Sequence, residues 1–251
     1  MEIVPIDAGL FKSAIEALKE FLPTAQMRIS ESGIAINGMD VSHIGFVDYF
    51  LSVSDCAVLS ISQPVTIGVQ MNVLARTLAA VGPTDRVTIG YKKDKLVVSY
   101  ANTKVSKKAV FEIPTLDIDA DPVWELPDLT YAANITAKTS DVVSIIKEVG
   151  VFGDTMMLRL DEDGFHVSAE GDAGNVRQTL ENTEGREMAL NDDSAEASFG
   201  TKYITGIMKS GAPLSSLTHI DFDGAQPMRI SFRFGVSSHF IAYQAPKVVD
   251  T

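Results

Sequence analysis

The sequence predicts an α+β protein made of two similar β-rich domains, each containing two helices. Three observations lead to this prediction. Alternating apolar and polar residues, typical of half-buried strands, occupy most of the chain. Four other segments have apolar residues at helical spacing, and the second half of the chain repeats the order of the first.

The helical segments have apolar residues three or four positions apart. The first, AGLFKSAIEALKEFL, carries Phe11, Ile15, Leu18 and Leu22 on one stripe. The second, QMNVLARTLAAVGP, stops at a Gly-Pro pair. The third and fourth are TSDVVSIIKEVGVFG and TKYITGIMKSGAP. The strand-like runs of the first half are 25–37, 44–53, 58–69, 86–91, 95–101 and 105–113.

The two halves repeat each other at a nearly constant distance. Leu74, Leu78 and Pro83 recur as Ile204, Met208 and Pro213, an offset of 130 residues. The stretch ESGIAINGMD is likewise echoed by EDGFHVSAEGD. We therefore predict tandem domains at 1–115 and 131–251, joined by a linker at 116–130.

The predicted linker lies within the proline-rich stretch PTLDIDADPVWELPDLTY, residues 114–131. Its prolines lack amide donors and resist continuous strand pairing. It also carries Trp124 and Leu126, which a merely solvated tether does not need. Either these side chains pack onto their own domains, or the linker forms part of a binding surface; composition favours neither.

Charge and cysteine content limit the functions that the chain can have. The chain has 251 residues and a net charge of −12, so its general surface should repel nucleic acid. Its one cysteine, Cys56, excludes an intramolecular disulfide. The N-terminus lacks a signal-peptide pattern, and no stretch approaches the ~18 apolar residues needed to cross a bilayer. We expect a soluble protein that is not secreted and does not bind membranes.

No motif has the spacing of a known catalytic, nucleotide or metal site. The four histidines are scattered, so we expect no metal and no cofactor. Asp40, Ser42 and His43 are residue types of a hydrolase, but neighbours on a strand or turn point in different directions. We therefore expect that the protein is not an enzyme. A hydrolase using His43 with Asp40 or Ser42 is the alternative from a different class.

Basic residues lie on the polar faces of all four helices. One helix of this kind is ordinary, and Glu16, Glu20 and Glu148 interrupt two of them. Four such helices in an acidic chain favour a weakly basic strip that contacts phosphates without reading bases. The residues are Lys12, Lys19, Arg76, Lys147, Lys202 and Lys209.

Six segments connect this chain to a known family. They are EALKEF, GIAINGMDVSHIGFVDYFL, IGVQMNVLARTLAAVG, DEDGFHVSAEGDAGN, APLSS and APKVVD. In order and spacing they resemble the DNA sliding clamps of the proliferating cell nuclear antigen family, along essentially the whole chain. The resemblance implies the DNA clamp fold, in which subunits form a ring with helices lining the central hole. Its divergence fits a viral or divergent eukaryotic member.

The resemblance implies a homotrimer that encircles double-stranded DNA without sequence preference. Such a clamp acts as a DNA polymerase processivity factor and docks other replication and repair proteins that carry a client motif. An ATP-dependent clamp loader would open the ring. A subunit of a heterotrimeric or checkpoint-type clamp is the alternative. The expected location is the nucleus, or a viral replication compartment if the source is viral.

The resemblance also assigns the six basic residues to the DNA-facing helices and two edge strands to the subunit interface. These strands match KVSKKAVFEI, residues 104–113, and NVRQTLEN, residues 175–182. Lys107 and Lys108 could instead guard a free edge against aggregation. The implied interface residues are Val105, Lys108, Val110 and Phe111 on one strand and Val176, Arg177, Thr179 and Leu180 on the other.

Finally, the resemblance implies a groove for client peptides. Clients would insert a short helical turn with aromatic and aliphatic anchors. Trp124 and Phe46 are bulky, so we expect an anchor preference particular to this chain. The implied groove residues are Met39, His43, Phe46, Trp124, Leu126, Pro127, Pro227, Tyr243, Ala245 and Pro246.

Overall fold

The computed structural model describes residues 1–82, 84–102, 107–118, 129–172, 174–191 and 193–247. The chain divides into two compact units. The first comprises Met1–Val41, Val47–Trp124 and Phe234–Phe240. The second comprises Ser42–Phe46, Glu125–Arg233 and Ile241–Thr251. Most of the predicted linker, including Trp124, Leu126 and Pro127, lies outside the described residues, as does Val105.

The first unit contains helices α1 (Ala8–Phe21) and α2 (Met71–Leu78). Strands β5, β1, β7, β8 and β9 form one sheet in that order, and β4, β3, β2 and β6 lie side by side in another. The strands are β1 (Glu2–Pro5), β2 (Thr24–Ser30), β3 (Gly33–Met39), β4 (Gly45–Ser52), β5 (Cys56–Ser60), β6 (Val65–Gln70), β7 (Arg86–Lys92), β8 (Lys95–Asn102) and β9 (Lys107–Pro114).

The second unit contains helices α3 (Thr139–Val149) and α4 (Thr201–Gly211). Strands β13, β12, β11 and β15 form one sheet in that order, and β14, β10, β16 and β17 lie side by side in another. Strands β4, β17 and β18 contribute residues to both units. The strands are β10 (Ala133–Lys138), β11 (Thr155–Asp161), β12 (Gly164–Gly171), β13 (Gly174–Glu181), β14 (Glu187–Leu190), β15 (Ala195–Gly200), β16 (Leu217–Phe222), β17 (Met228–Phe234) and β18 (Ser238–Gln244).

The predicted α+β class, with two helices in each β-rich half, is confirmed. The apolar stripe of α1 is buried: Phe11, Ile15 and Leu18 are each at most 1% exposed. Asp7 caps this helix, because its Oδ1 accepts a hydrogen bond from Leu10 N at 2.9 Å. In the described ranges, no helix is long and apolar enough to span a membrane.

Several details of the predicted elements differ. The run 25–37 is two strands, β2 and β3, separated by a turn at Glu31 and Ser32. The run 58–69 is two strands, since Pro64 lacks an amide donor and lies in the gap between β5 and β6. Helix α2 ends at Leu78, three residues before the apolar pattern stops. Its last turn tightens, with Ala79 N donating to Arg76 O at 3.3 Å.

Asp55 organises the turn between β17 and β18 within the first unit. Its carboxylate accepts hydrogen bonds from Val236 N at 2.6 Å, Ser237 N at 3.1 Å and Ser238 Oγ at 2.6 Å. Burial alone would raise the pKa of Asp55, but these hydrogen bonds, led by that from Ser238, lower it below its ordinary value. Gly235 has a φ of +60°, and a Cβ there would overlap this carboxylate. Asp55 therefore joins the start of β5 to the turn between β17 and β18.

Candidate functional site

The basic residues of the first unit are largely engaged within the chain. Lys12 Nζ donates to Ala79 O at 2.6 Å and Val81 O at 3.1 Å, so it caps the carbonyl end of α2. Lys19 forms an ion pair with Glu16. Arg76 is exposed, although its Nε donates to Asn72 O at 3.3 Å. This helix pair offers less free positive charge than its residue count suggests.

The basic residues of the second unit are more available. Lys147, Lys202 and Lys209 are exposed on α3 and α4, two helices that pack against each other. No ion pair involves these lysines within the described ranges.

The two acids of α3 interact with residues other than the three lysines. Asp141 pairs with Arg186 at 3.1 Å, and Glu148 accepts from Ser144 at 3.0 Å and Gln178 at 2.9 Å. The hydrogen bond from Arg186 holds the pKa of Asp141 below its usual value, so this carboxylate stays ionised to a lower pH than an isolated one. Helix α4, with two exposed lysines and no acid, therefore supplies most of the positive charge of this helix pair.

The two strands assigned to the subunit interface are both sheet edges. β9 lies last in the five-stranded sheet, and β13 lies first in the four-stranded sheet. Two large apolar side chains of β9 are partly open: Val110 is 56% exposed and Phe111 is 37% exposed.

Lys108 is exposed on β9. On β13, Arg177 and Thr179 are exposed, Val176 is half-buried and Leu180 is buried. A strand edge with exposed apolar side chains is a template for pairing with another chain.

Several of the predicted groove residues lie together in the second unit. The rings of Phe46 and Tyr243 are 6.0 Å apart, and Ala245 N donates to Ile44 O at 2.9 Å. Tyr243, Ala245, Pro246 and Pro227 are half-buried, while Ile44 is 46% exposed. These contacts hold the C-terminal residues beside segment 42–46.

The remaining groove residues have distinct placements. Phe46 is only 3% exposed, so it underlies this cluster and offers little contact surface. His43 is exposed on a turn with a φ of +57°. Met39 is half-buried at the end of β3 in the first unit.

The sequence did not predict a network of polar and charged side chains around Asp221. Asp221 is fully buried, and its Oδ2 accepts from Arg229 Nε at 2.7 Å. His219 Nε2 lies 2.8 Å from Asp221 Oδ1, and its Nδ1 lies 2.8 Å from Thr136 Oγ1. Arg229 also covers the ring of Tyr131 at 5.2 Å. A buried carboxylate needs such partners, because its desolvation is costly.

Tyr131 links this network to Pro227, one of the predicted groove residues, since its hydroxyl donates to Pro227 O at 3.0 Å. Burial raises the pKa of Tyr131, so it remains a neutral hydrogen-bond donor at physiological pH. The sequence signal was faint but present: His219 and Asp221 alternate with apolar residues in LTHIDF, where one face of the strand must accommodate them.

Gly45 explains how closely segment 42–46 approaches α4. A Cβ at this position would overlap the hydroxyl and ring of Tyr203. We expect Gly45→Ala to destabilise the chain by about 1–3 kcal/mol, because well-packed sites tolerate extra atoms poorly. Urea unfolding measures the loss. As a matched control, Gly206→Ala meets no atom within 4 Å and should stabilise α4 by about 0.5–1 kcal/mol. Equal stability of both variants would contradict the close packing.

The described residues contain no group of three or more His, Cys, Asp or Glu side chains placed to hold a metal ion. What the geometry supplies is a helix pair with exposed lysines, two open strand edges and a partly apolar cluster around Tyr243 and Ala245. Phosphates, another chain and an apolar peptide are the ligands that fit these three surfaces.

Comparison with known proteins finds one family along the whole chain. The model for the proliferating cell nuclear antigen N-terminal domain matches residues 1–123, and that for the C-terminal domain matches 125–247. Proliferating cell nuclear antigen of Chaetomium thermophilum is 25% identical, covering 97% of this chain and 96% of that protein. Proliferating cell nuclear antigen 2 of Drosophila melanogaster is 24% identical, covering 96% and 95% respectively.

A solved structure agrees with these sequence matches. The crystal structure of proliferating cellular nuclear antigen from Entamoeba histolytica aligns with a TM-score of 0.90 and 26% identity, covering 98% of each chain.

Proposed function

The chain belongs to the proliferating cell nuclear antigen family of sliding clamps, and on that premise we propose that three copies close into a ring around duplex DNA. The ring keeps DNA polymerase on its template as a processivity factor. It also docks replication and repair proteins at the cluster around Tyr243 and Ala245. An ATP-dependent loader opens the ring, and the expected location is the nucleus or a viral replication compartment.

The observation that carries this proposal is the placement of positive charge. In a chain of net charge −12, α3 and α4 present three exposed lysines, and α4 carries no acid. Phosphate contacts of this kind hold a duplex without reading its sequence, which suits a protein that slides. The six basic residues named above are therefore proposed to face DNA, with the second unit contributing more than the first.

The exposed edges support closure of the ring. Pairing β9 of one subunit with β13 of the next would cover Val110 and Phe111 and remove two open strand edges. A heterotrimeric or checkpoint-type clamp would use the same edges with different partners. Self-assembly of the purified chain separates these alternatives.

DNA binding by the second unit can be tested with a charge-removing pair. We expect Lys202→Gln with Lys209→Gln to weaken duplex binding and to reduce the slope of log K against log salt by about 2, because each lost phosphate contact contributes about 0.9. Glutamine retains helix propensity, so α4 should remain folded. Fluorescence anisotropy of a labelled linear duplex over a salt series measures the slope.

The matched control removes the same charge at Lys92, the last residue of β7, and at Lys93 in the turn that follows. Lys92→Gln with Lys93→Asn should leave the slope close to that of the parent chain. Asparagine suits the second position, since Lys93 has a φ of +52°. Equal slopes for both double variants would argue against phosphate contact by α4. If neither the parent chain nor its assembled form binds the labelled duplex, the result argues against the proposed function itself.

A further inference from the structure

The C-terminal segment after β18 is tied to the second unit by backbone hydrogen bonds. Ala245 N donates to Ile44 O at 2.9 Å, and Lys247 N donates to Ser198 O at 2.7 Å. Ser198 lies on β15, the edge strand of its sheet opposite β13. Between the two anchored residues, Pro246 has no amide hydrogen and cannot supply a bond of its own.

The side chain of Lys247 adds a second attachment. Its Nζ donates to Asp154 O at 3.3 Å and to Thr155 Oγ1 at 2.8 Å. Asp154 O also accepts from Thr201 N at 3.1 Å, so the lysine bonds a carbonyl already placed by the start of α4. One residue thus holds the tail through both its amide and its amine.

On the other side of the docking residues, Gln244 provides the matching attachment. It is 1% exposed, and its Nε2 donates to Gly200 O at 3.1 Å. Ala245 and Pro246 therefore lie between two fixed points. Gln244 is buried and Lys247 is exposed, so the Lys247 end is the one that can open without disturbing the core.

We propose that Lys247 is a positioning residue for client docking, acting as a latch that holds Ala245 and Pro246 in their binding position. This inference rests on the docking function proposed above. Lys247 need not touch the client. Its hydrogen bonds order Ala245 and Pro246 before the peptide binds. Binding free energy is then not lost to ordering these residues when the peptide arrives.

The magnitude follows from the bonds that are lost. Lys247→Ala removes two side-chain hydrogen bonds and leaves the backbone bond to Ser198 in place. Because each exposed bond contributes modestly, we expect the affinity for a client-type peptide to fall about five-fold. Lys247→Arg keeps donors and positive charge and should restore most of that affinity.

The probe is a fluorescein-labelled peptide with one aliphatic and two aromatic anchors on a single helical turn, titrated by anisotropy. Hydrogen exchange at the amides of Ala245 and Lys247 is measured in parallel, together with native mass. Lys138→Ala, which removes an exposed lysine of the same unit outside the proposed DNA and peptide contacts, serves as the matched control.

The expected result is weaker peptide binding and faster exchange in Lys247→Ala alone, with unchanged mass and recovery in Lys247→Arg. Unchanged exchange and affinity would overturn the latch. Faster exchange with unchanged affinity would also overturn it, because the tail would then be loosened without consequence for docking. If the parent chain does not bind the peptide, the docking function fails, and the exchange arm shows separately whether Lys247 holds the tail.

Discussion

Val110→Asp is expected to run as a 27.1 kDa monomer in light scattering, whereas the parent chain is expected near 81 kDa, three times that mass. Val110 is 56% exposed on edge strand β9, so a carboxylate there stays hydrated in the isolated chain. Pairing with another subunit would strip hydration from this carboxylate at a position where the parent chain covers an apolar side chain. The cost of several kcal/mol should lower the association constant by about 100-fold or more at each interface.

The control makes the same valine-to-aspartate change at a position outside edge strand β9. Val41→Asp changes a valine that is 80% exposed in the turn after β3, in the same unit. It should retain the mass of the parent chain over the same dilution series. If Val110→Asp also retains that mass, β9 is not the contact strand. A parent chain that remains monomeric would favour the heterotrimeric alternative.

The second large effect concerns Asp55. We expect Asp55→Asn to lower the free energy of unfolding by about 2–4 kcal/mol, because three donors converge on a carboxylate that is only 8% exposed. Asparagine has the same shape but keeps one acceptor oxygen and directs an amide at the remaining donors. Urea unfolding at neutral pH measures the loss.

The pH dependence identifies the charge as the cause. The pKa of Asp55 is lower in the folded chain than the ordinary value near 3.9, so its stabilisation is present above that value and disappears as pH falls through the folded pKa. The difference between the parent chain and Asp55→Asn should therefore be constant from about pH 7 to 5 and shrink below about pH 4. The exposed carboxyl of Asp172 supplies the control, Asp172→Asn, which should change stability little at any pH. A difference that persists undiminished into acid would assign the effect to packing.

Local patterns predicted the helices well because their signal is carried by neighbouring residues. The stripe of Phe11, Ile15 and Leu18 shows in the sequence the face that the fold buries. The repeat at an offset of 130 residues likewise indicated two domains of one design before any contact was known.

The partners of charged side chains could not be predicted in the same way. Lys12 looks like Lys202 in the sequence, yet Lys12 reaches the carbonyl end of α2, 67 residues away, while Lys202 is exposed. Phe46 is a second example. The sequence predicted that it lines the groove, whereas its side chain is only 3% exposed. Such outcomes depend on which distant segments meet.

The sequence by itself determined the α+β class, the tandem repeat and the family, because periodicity, turn residues and ordered motifs are properties of short stretches of chain. Only the tertiary structure decided which lysines remain available, that Tyr131 bonds Pro227 O across 96 positions, and that Lys247 holds the tail beside β15. The physical reason is that burial and hydrogen bonding are set by residues brought together across tens to hundreds of positions, and no local pattern encodes their meeting.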